Sequence, residues 1–436
     1  MQLYSTKNKS NTASLKEAVF KGLPSDNGLF MPSHIPVLPA SFFENIEHYT
    51  FQEIAIEVCK ALIGDDVPET EIKKIIADVL TFEAPVLKVS GNIHVLELFH
   101  GPSLAFKDFG ARFMARLMSY FLSQDASKEI NILVATSGDT GSAVAQGFLN
   151  MPGIRITILY PSGKVSDIQE KQLTTLGQNI TALEIDGVFD DCQRLVKEAF
   201  LDAELNANMN LSSANSINIS RLIPQSFYYF WAYAQLKKTG KPIVFCVPSG
   251  NFGNLCGGLI AKQMGLPVEK FVAATNANDI IPQYLTTGQF IPRASVSTIS
   301  NAMDVGNPSN FQRLTDLYGN AFDDVKKDVV GKSYTDAETS AAMTEVYKNT
   351  DYILDPHGAV GYLGIKEYLE ESGTDANGVF LATAHPTKFL DVVEAAIGIT
   401  VPLPERLQTI VSKDKVAIKM GNDFESFKAF LMANKN

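Results

Sequence analysis

The sequence has little of what several protein classes require. It contains four cysteines, Cys59, Cys192, Cys246 and Cys256. They lack the paired spacing of a zinc site, and three of them lie in apolar or helical contexts. They read as reduced filler, with Cys256 close to a glycine-rich loop, and no metal site is expected. No run of Lys and Arg offsets a formal net charge of −11 and a pI near 5.1, which argues against nucleic acid and anionic membrane as partners. Residues 1–7 hold no apolar stretch of the kind a signal peptide needs, and no segment approaches the length of a membrane span. A cytoplasmic protein is expected.

What is present suits a large soluble core. At 436 residues, 45% hydrophobic and 19% charged, the chain is long enough for two or more domains. Residues 1–80 carry mostly helical patterns, as in 14–20 and 51–62, around a turn-rich stretch over 22–32. This predicts a mainly helical N-terminal region, in which His34 and His48 read as surface residues without a partner at ligand spacing. From Pro85 onward, short apolar runs alternate with glycine-rich turns and helical stretches, the pattern of an α/β domain with a parallel sheet. Strands are predicted over 132–135, 154–160, 180–185, 243–247, 271–275 and 378–383. A long helix over 224–238 precedes a restart of the pattern and puts a boundary near Ile223. No internal repeat is visible.

The stretch His100-Gly101-Pro102-Ser103-Leu104-Ala105-Phe106-Lys107-Asp108-Phe109-Gly110 organises the functional reading. Residues 93–99 alternate like a strand, whereas Phe109, Phe113, Leu117 and Phe121 recur at helical spacing. Lys107 therefore sits where a strand hands over to a helix. Enclosure by Phe106 and Phe109 and the positive end of the helix both disfavour its cation, so its pKa should fall below about 10.4. That suits Schiff-base chemistry, because only the neutral amine attacks a carbonyl. On this stretch alone, a surface lysine opening an amphipathic helix is an equal reading.

Three loops bear on the choice. Thr136-Ser137-Gly138-Asp139-Thr140-Gly141-Ser142 follows a strand and opens a helix, giving amides and hydroxyls suited to a carboxylate or phosphate; a cap made by Asp139 is the plain alternative. Pro248-Ser249-Gly250-Asn251-Phe252-Gly253-Asn254 repeats the arrangement. It lacks the Lys-Ser/Thr ending of a P-loop, which disfavours nucleotide triphosphates, and a tight structural turn is its plain alternative. Leu381-Ala382-Thr383-Ala384-His385-Pro386-Thr387 puts a hydroxyl at the carboxyl end of a strand, where open α/β sheets bind ligands. His385 there is as much a packed turn residue as a catalytic one. A buried lysine beside two anion loops points to an aldehyde cofactor bearing a phosphate, hence pyridoxal phosphate.

These motifs, taken with Gly28-Leu29-Phe30 and Tyr4, closely resemble the threonine synthases of the longer, microbial and fungal type, and the resemblance covers the whole chain. It implies the tryptophan-synthase-β-like fold, fold type II of the pyridoxal phosphate enzymes, as two open parallel-sheet α/β domains plus a helical N-terminal region. The expected division is 1–80 for that region, 81–107 with 224–436 for a large cofactor-binding domain, and 108–223 for a small substrate-clamping domain. By resemblance, Lys107 would hold the cofactor covalently, Gly250, Asn251, Phe252, Gly253 and Asn254 its phosphate, and Thr383 the pyridine nitrogen. The implied substrate is O-phospho-L-homoserine, its carboxylate at Thr136, Ser137 and Thr140. Its phosphate would meet Asn215, Ser216 and Arg221, the last as a bidentate group.

Asn254 stands where many members have Asp. Asp139 stands near the cofactor's phenolic oxygen, where it would be protonated or turned away if two oxyanions are not to meet. The implied reaction is γ-elimination of phosphate followed by β-addition of water to give L-threonine, a carbon–oxygen lyase activity with Lys107 as the shuttling base. Rivals are a related phospholyase or dehydratase that releases 2-oxobutyrate, and a noncatalytic phosphate-ligand binding protein. A monomer or homodimer is expected.

Overall fold

The structure, a computed structural model, describes residues 1–124, 129–136 and 138–434. Its larger sheet has six strands in the spatial order Val329–Ser333, Lys270–Thr275, Ile243–Pro248, Asn377–Ala382, Ile93–Glu97, Val86–Ser90. All pairs are parallel except the last, where Val86–Ser90 returns antiparallel beside Ile93–Glu97. The second sheet is wholly parallel, in the order Ile418–Met420, Ile180–Ile185, Ile154–Pro161, Ile130–Ala135, Asn210–Ser213. Every residue of Ile243–Pro248 and of Asn377–Ala382 is buried. Such near-continuous apolar runs arise because parallel sheets are covered by helices on both faces. The six strands predicted from periodicity are all present, their ends within two residues of the expected ones.

The N-terminal region is mainly helical, as expected, and also holds three short strands that the sequence did not show. Gln2–Ser5 pairs antiparallel with both Thr12–Ser14 and Phe30–Pro32 in a three-stranded sheet. These strands are three or four residues long and pair across a turn and a helix, so none displays enough alternation to be read locally. The C-terminal segment crosses to the smaller sheet. Ile418–Met420 pairs with Leu183–Ile185 in the second sheet, and Phe427 and Leu431 bury against Leu183, Cys192 and Leu195. Apolar burial on that side outweighs chain proximity to the larger sheet.

The order of the larger sheet positions the site. Ile93–Glu97, Asn377–Ala382 and Ile243–Pro248 are neighbours and run parallel, so their carboxyl ends lie side by side. The segments that follow them carry Lys107, Thr383 and the 250–254 loop. In the second sheet, Ile130–Ala135 and Asn210–Ser213 are also parallel neighbours. Their ends lead into the 136–140 turn and into Asn215 and Ser216.

Candidate active site

Lys107 is the first residue of the helix Lys107–Ser123, and a short antiparallel contact holds it in place. The Phe106 amide donates to the Thr383 carbonyl at 2.9 Å, the His385 amide donates to the Leu104 carbonyl at 3.0 Å, and Ala105 bridges to Ala384. Leu104 adopts a left-handed conformation with φ 58, uncommon for a residue with a branched side chain. The loop thus turns sharply and delivers Lys107 beside Thr383. The lysine Nζ lies 5.7 Å from the centre of the Phe106 ring. Burial is the main cause that lowers its pKa, Asp139 opposes it, and Lys388 and Arg221 reinforce it. The depressed lysine expected from the strand-to-helix handover is what the structure contains, with desolvation as the dominant reason.

A cavity of about 590 Å³ opens at this point and is lined by Lys107, Thr383, the 250–254 loop, Asn215, Ser216 and Arg221. Its size falls in the usual range for small-molecule sites, about 300–1,000 Å³. Phe252 is left-handed, φ 60, and caps the helix Gly253–Gln263; Gly253 and Asn254 line the cavity, while the Leu255 amide donates to Asn254 Oδ1 at 3.0 Å. A Cβ on Gly250 would lie 2.9 Å from Met303 Cα, which is why the backbone there is bare. The Asn251 Oδ1 accepts from the Ser309 amide and hydroxyl at 3.2 and 3.1 Å. Asn254 uses its side chain within the turn. Its side chain accepts from the Ser249 hydroxyl and donates to the Pro248 carbonyl at 2.9 Å, so it braces the turn, and only its backbone is left for an anion.

Across the cavity, Arg221 and Asn215 are poised differently from ordinary buried polar residues. Arg221 is 3% exposed, its Nη1 donates to the Ala214 carbonyl, and its Nε has no partner among the described residues. The Asn215 Oδ1 is likewise buried without a partner. Unpaired buried polar atoms are rare in native folds because each carries a desolvation penalty. Arg221, Asn215 and Gln225, whose Oε1 is also unpartnered among the described residues, all line the cavity, with the unpaired atoms themselves buried and the Arg221 Nε packed against Gly110. Burial pulls the Arg221 guanidinium down to about 10.

The 136–140 turn uses some of its polar groups itself. The Thr136 hydroxyl accepts from the Gly138 and Gly141 amides at 3.0 and 2.9 Å, so those two amides serve the turn itself. Thr140 lines the cavity, while Ser137 lies outside the described residues. Asp139 lines the cavity and faces two lysines. Its Oδ1 accepts from Lys388 Nζ at 2.7 Å and from Gln169 Nε2 at 3.0 Å, and its Oδ2 faces Lys107 at 3.8 Å. Burial is outweighed chiefly by the ammonium of Lys388 in direct contact, which holds the carboxyl well below the usual range.

Three further groups escaped the sequence reading. Lys388 is completely buried, though nothing near it in sequence announces this. His357 lines the cavity, bonds through Nδ1 to Asp355 at 2.6 Å and accepts the Ala302 amide at Nε2. With Nε2 as acceptor, Nδ1 is the ring nitrogen that donates to Asp355. Asp304, also on the cavity wall, gathers Thr298, Asn276 and Asn278 by hydrogen bonds of 2.7 to 3.1 Å. His385, by contrast, is a packed turn residue. It accepts the Thr387 amide, meets Phe99 edge-on, and burial pushes its pKa down to about 4. All four cysteines are buried thiols, and no cluster able to hold a metal ion exists among the described residues.

Residues 80–384 match the family described as pyridoxal-phosphate dependent enzyme, residues 2–80 the threonine synthase N terminus, and residues 358–431 the threonine synthase C-terminal family. A threonine synthase of Haemophilus influenzae is 44% identical over 99% of this chain and 100% of its own length. The crystal structure of threonine synthase from Escherichia coli superposes with a TM-score of 0.92 at 42% identity, over 99% of this chain and 100% of that one. The pyridoxal-phosphate-bound threonine synthase of Brucella melitensis gives 0.93 at 34% identity, over 100% of both chains.

Proposed function

We propose that this chain, which belongs to the threonine synthase family of pyridoxal-phosphate-dependent enzymes and has their type II fold, converts O-phospho-L-homoserine and water to L-threonine and phosphate. The observation that carries the reading is one cavity lined together by Lys107, Thr383, the 250–254 loop, Asn215, Ser216 and Arg221.

The residues present fit the cofactor. Lys107 supplies an amine whose cation is disfavoured. The amides opening the helix Gly253–Gln263, together with the bare backbone at Gly250, suit a phosphate. Thr383, at the end of its strand, suits the ring nitrogen. When bound, pyridoxal phosphate supplies an aldehyde for amino groups and a ring that takes up electrons from bonds broken beside it. The protein's own work is binding and proton movement. Arg221, Asn215 and Ser216 take the substrate phosphate, a charge-assisted contact that a planar guanidinium makes well. Thr140 and the remaining amides of its turn receive the carboxylate. Lys107, freed by the substrate's amine, removes a proton from Cα and then from Cβ. Phosphate leaves Cγ with the electrons of its C–O bond, a proton is then returned at Cγ, and the hydroxyl of water adds at Cβ while a proton returns to Cα. We place the protein in the cytoplasm as a monomer or homodimer; no helix among the described residues is long and apolar enough to cross a membrane.

Incubation of the purified protein with O-phosphohomoserine, following phosphate and threonine together, tests the reading. Equal release of both supports it. Phosphate with 2-oxobutyrate and ammonia instead identifies a phospholyase. No visible absorption, and nothing fixed to Lys107 by borohydride, identifies a noncatalytic binding protein.

A further inference from the structure

The chemistry above leaves a second buried lysine without a task. Lys388 follows His385 and Pro386 in the turn Pro386–Phe389, and its side chain is 0% exposed. Its Nζ donates to Asp139 Oδ1 at 2.7 Å and to the Ser103 carbonyl at 2.9 Å, and lies 3.4 Å from the Ser142 hydroxyl. Three acceptors around one nitrogen match the three donors of an ammonium; a neutral amine has one donor too few. Lys107 faces the other oxygen of the same carboxylate at 3.8 Å, beyond hydrogen-bond reach.

The charged groups facing Lys107 are Asp139 from the helix Asp139–Phe148, Lys388 from its turn, and Arg221 from the helix Ile219–Leu222. Asp108, on the same helix as Lys107, is turned to the Ser103 amide at 2.8 Å. With Lys107 also charged, this space would hold three cations against Asp139 and the more distant Asp108, of which only Asp139 acts on Lys107. Loss of one proton relieves the excess. Lys388 is tied by its acceptors and an arginine keeps its proton, so the proton least well held is that of Lys107.

We propose that Lys388 is a positioning residue: by taking Asp139 Oδ1 in direct contact it leaves Lys107 only the longer pairing with Oδ2 and so favours the uncharged, nucleophilic amine of Lys107. The proposal deepens the functional reading and rests on it for the electrophile that the amine meets.

The test titrates Lys107 directly. The full-length protein, stripped of cofactor, is labelled with trace acetic anhydride over roughly pH 6 to 11. The peptide bearing Lys107 is quantified by mass spectrometry against that bearing the exposed Lys238. The parent is expected to show a Lys107 midpoint below that of Lys238. Lys388→Met should raise it by about one unit or more, a roughly tenfold loss of labelling at mildly alkaline pH. Lys388→Arg should stay near the parent, and Asp139→Asn should lower the midpoint further. A site merely loosened by mutation moves Lys388→Met and Asp139→Asn together toward Lys238. That pattern, or an unmoved midpoint in Lys388→Met, overturns the proposal. Asp139→Asn is close in size to the parent residue and carries the test if Lys388→Met does not fold; a rise or no change in it overturns the proposal equally. Restoring pyridoxal phosphate should shield Lys107 from the label. Failure to shield counts against the functional reading and leaves the titration result standing.

Discussion

Replacing Arg221 by Met should raise stability while abolishing most of the activity. Arg221 is buried, no carboxylate forms an ion pair with it among the described residues, and the more distant Asp108 is the only group that favours its charge. Its folded pKa of about 10, against an ordinary 12.5, corresponds to a desolvation cost of about 3 kcal/mol. For a base with a depressed folded pKa, that cost is fully present below the folded value and fades only as pH rises through it. At neutral pH the whole penalty therefore applies. Met fills similar space without a charge, and the lost bond to the Ala214 carbonyl returns about 1 kcal/mol. The net gain of about 2 kcal/mol should raise the melting temperature by roughly 2 °C for a chain of this length. Activity should go the other way. Two charge-assisted hydrogen bonds to a phosphate contribute about 3 to 6 kcal/mol, equivalent to roughly two to four orders of magnitude in kcat/KM. Differential scanning fluorimetry and phosphate-release kinetics on O-phosphohomoserine read the two effects. A variant that keeps kcat/KM within tenfold of the parent, or that melts several degrees lower, would refute the reasoning.

Arg313 makes the opposite case. It is fully buried and also drawn down to about 10, yet its donors reach the carbonyls of Phe30, Ser216 and Ile217 and the side chain of Asn310. Arg313→Met should lose about 3 kcal/mol or more by stranding those acceptors, seen as a lower urea midpoint. Gly250→Ala should weaken cofactor binding in a fluorescence titration, because the new methyl meets Met303 Cα and Val305 Cγ2 at 2.9 Å. Gly253→Ala, with nearest neighbours at 3.5 Å, should bind nearly as the parent does. Burial raises the Asp108 carboxyl to about 6, so its ionised form is penalised above that value and relieved as pH falls through it toward 3.8. The parent should thus gain roughly 1 kcal/mol relative to Asp108→Asn between pH 7.5 and pH 5, measured by urea unfolding at each pH. A difference independent of pH would show that Asp108 titrates normally.

The parts of the site that are legible in sequence are those where local pattern and chemistry coincide. The switch from alternation to helical spacing around Lys107 is a local signal, and so are the glycines and hydroxyls at Thr136 and Gly250. The strands Asn210–Ser213 and Val329–Ser333 went unread because they are short and only partly apolar, their burial supplied by neighbours distant in the chain. Lys388 and His357 were invisible for a related reason. Nothing adjacent in sequence shows that a lysine after His385 and Pro386 will find Asp139, or that a histidine opening a helix will face a cavity. The use of the Thr136 hydroxyl by its own turn, and of the Asn254 amide by Pro248, depends on angles that composition does not encode. Residue type indicates which chemistry is possible; the fold decides which of those groups remain free for a ligand.

The strand Ile418–Met420 has a consequence beyond architecture. It seals one border of the five-stranded sheet, where Ile180–Ile185 would otherwise present a row of open backbone donors and acceptors to any other chain. The helix Phe424–Ala433 lays Phe427 and Leu431 over Leu183, Ile185 and Leu195. Every cavity-lining residue precedes Ala384, so a protein clipped between the helix Glu405–Val411 and this strand would retain its chemical groups while exposing a template for polymerisation. On this geometry, a clipped protein is expected to precipitate before it loses activity, measured by light scattering beside phosphate release.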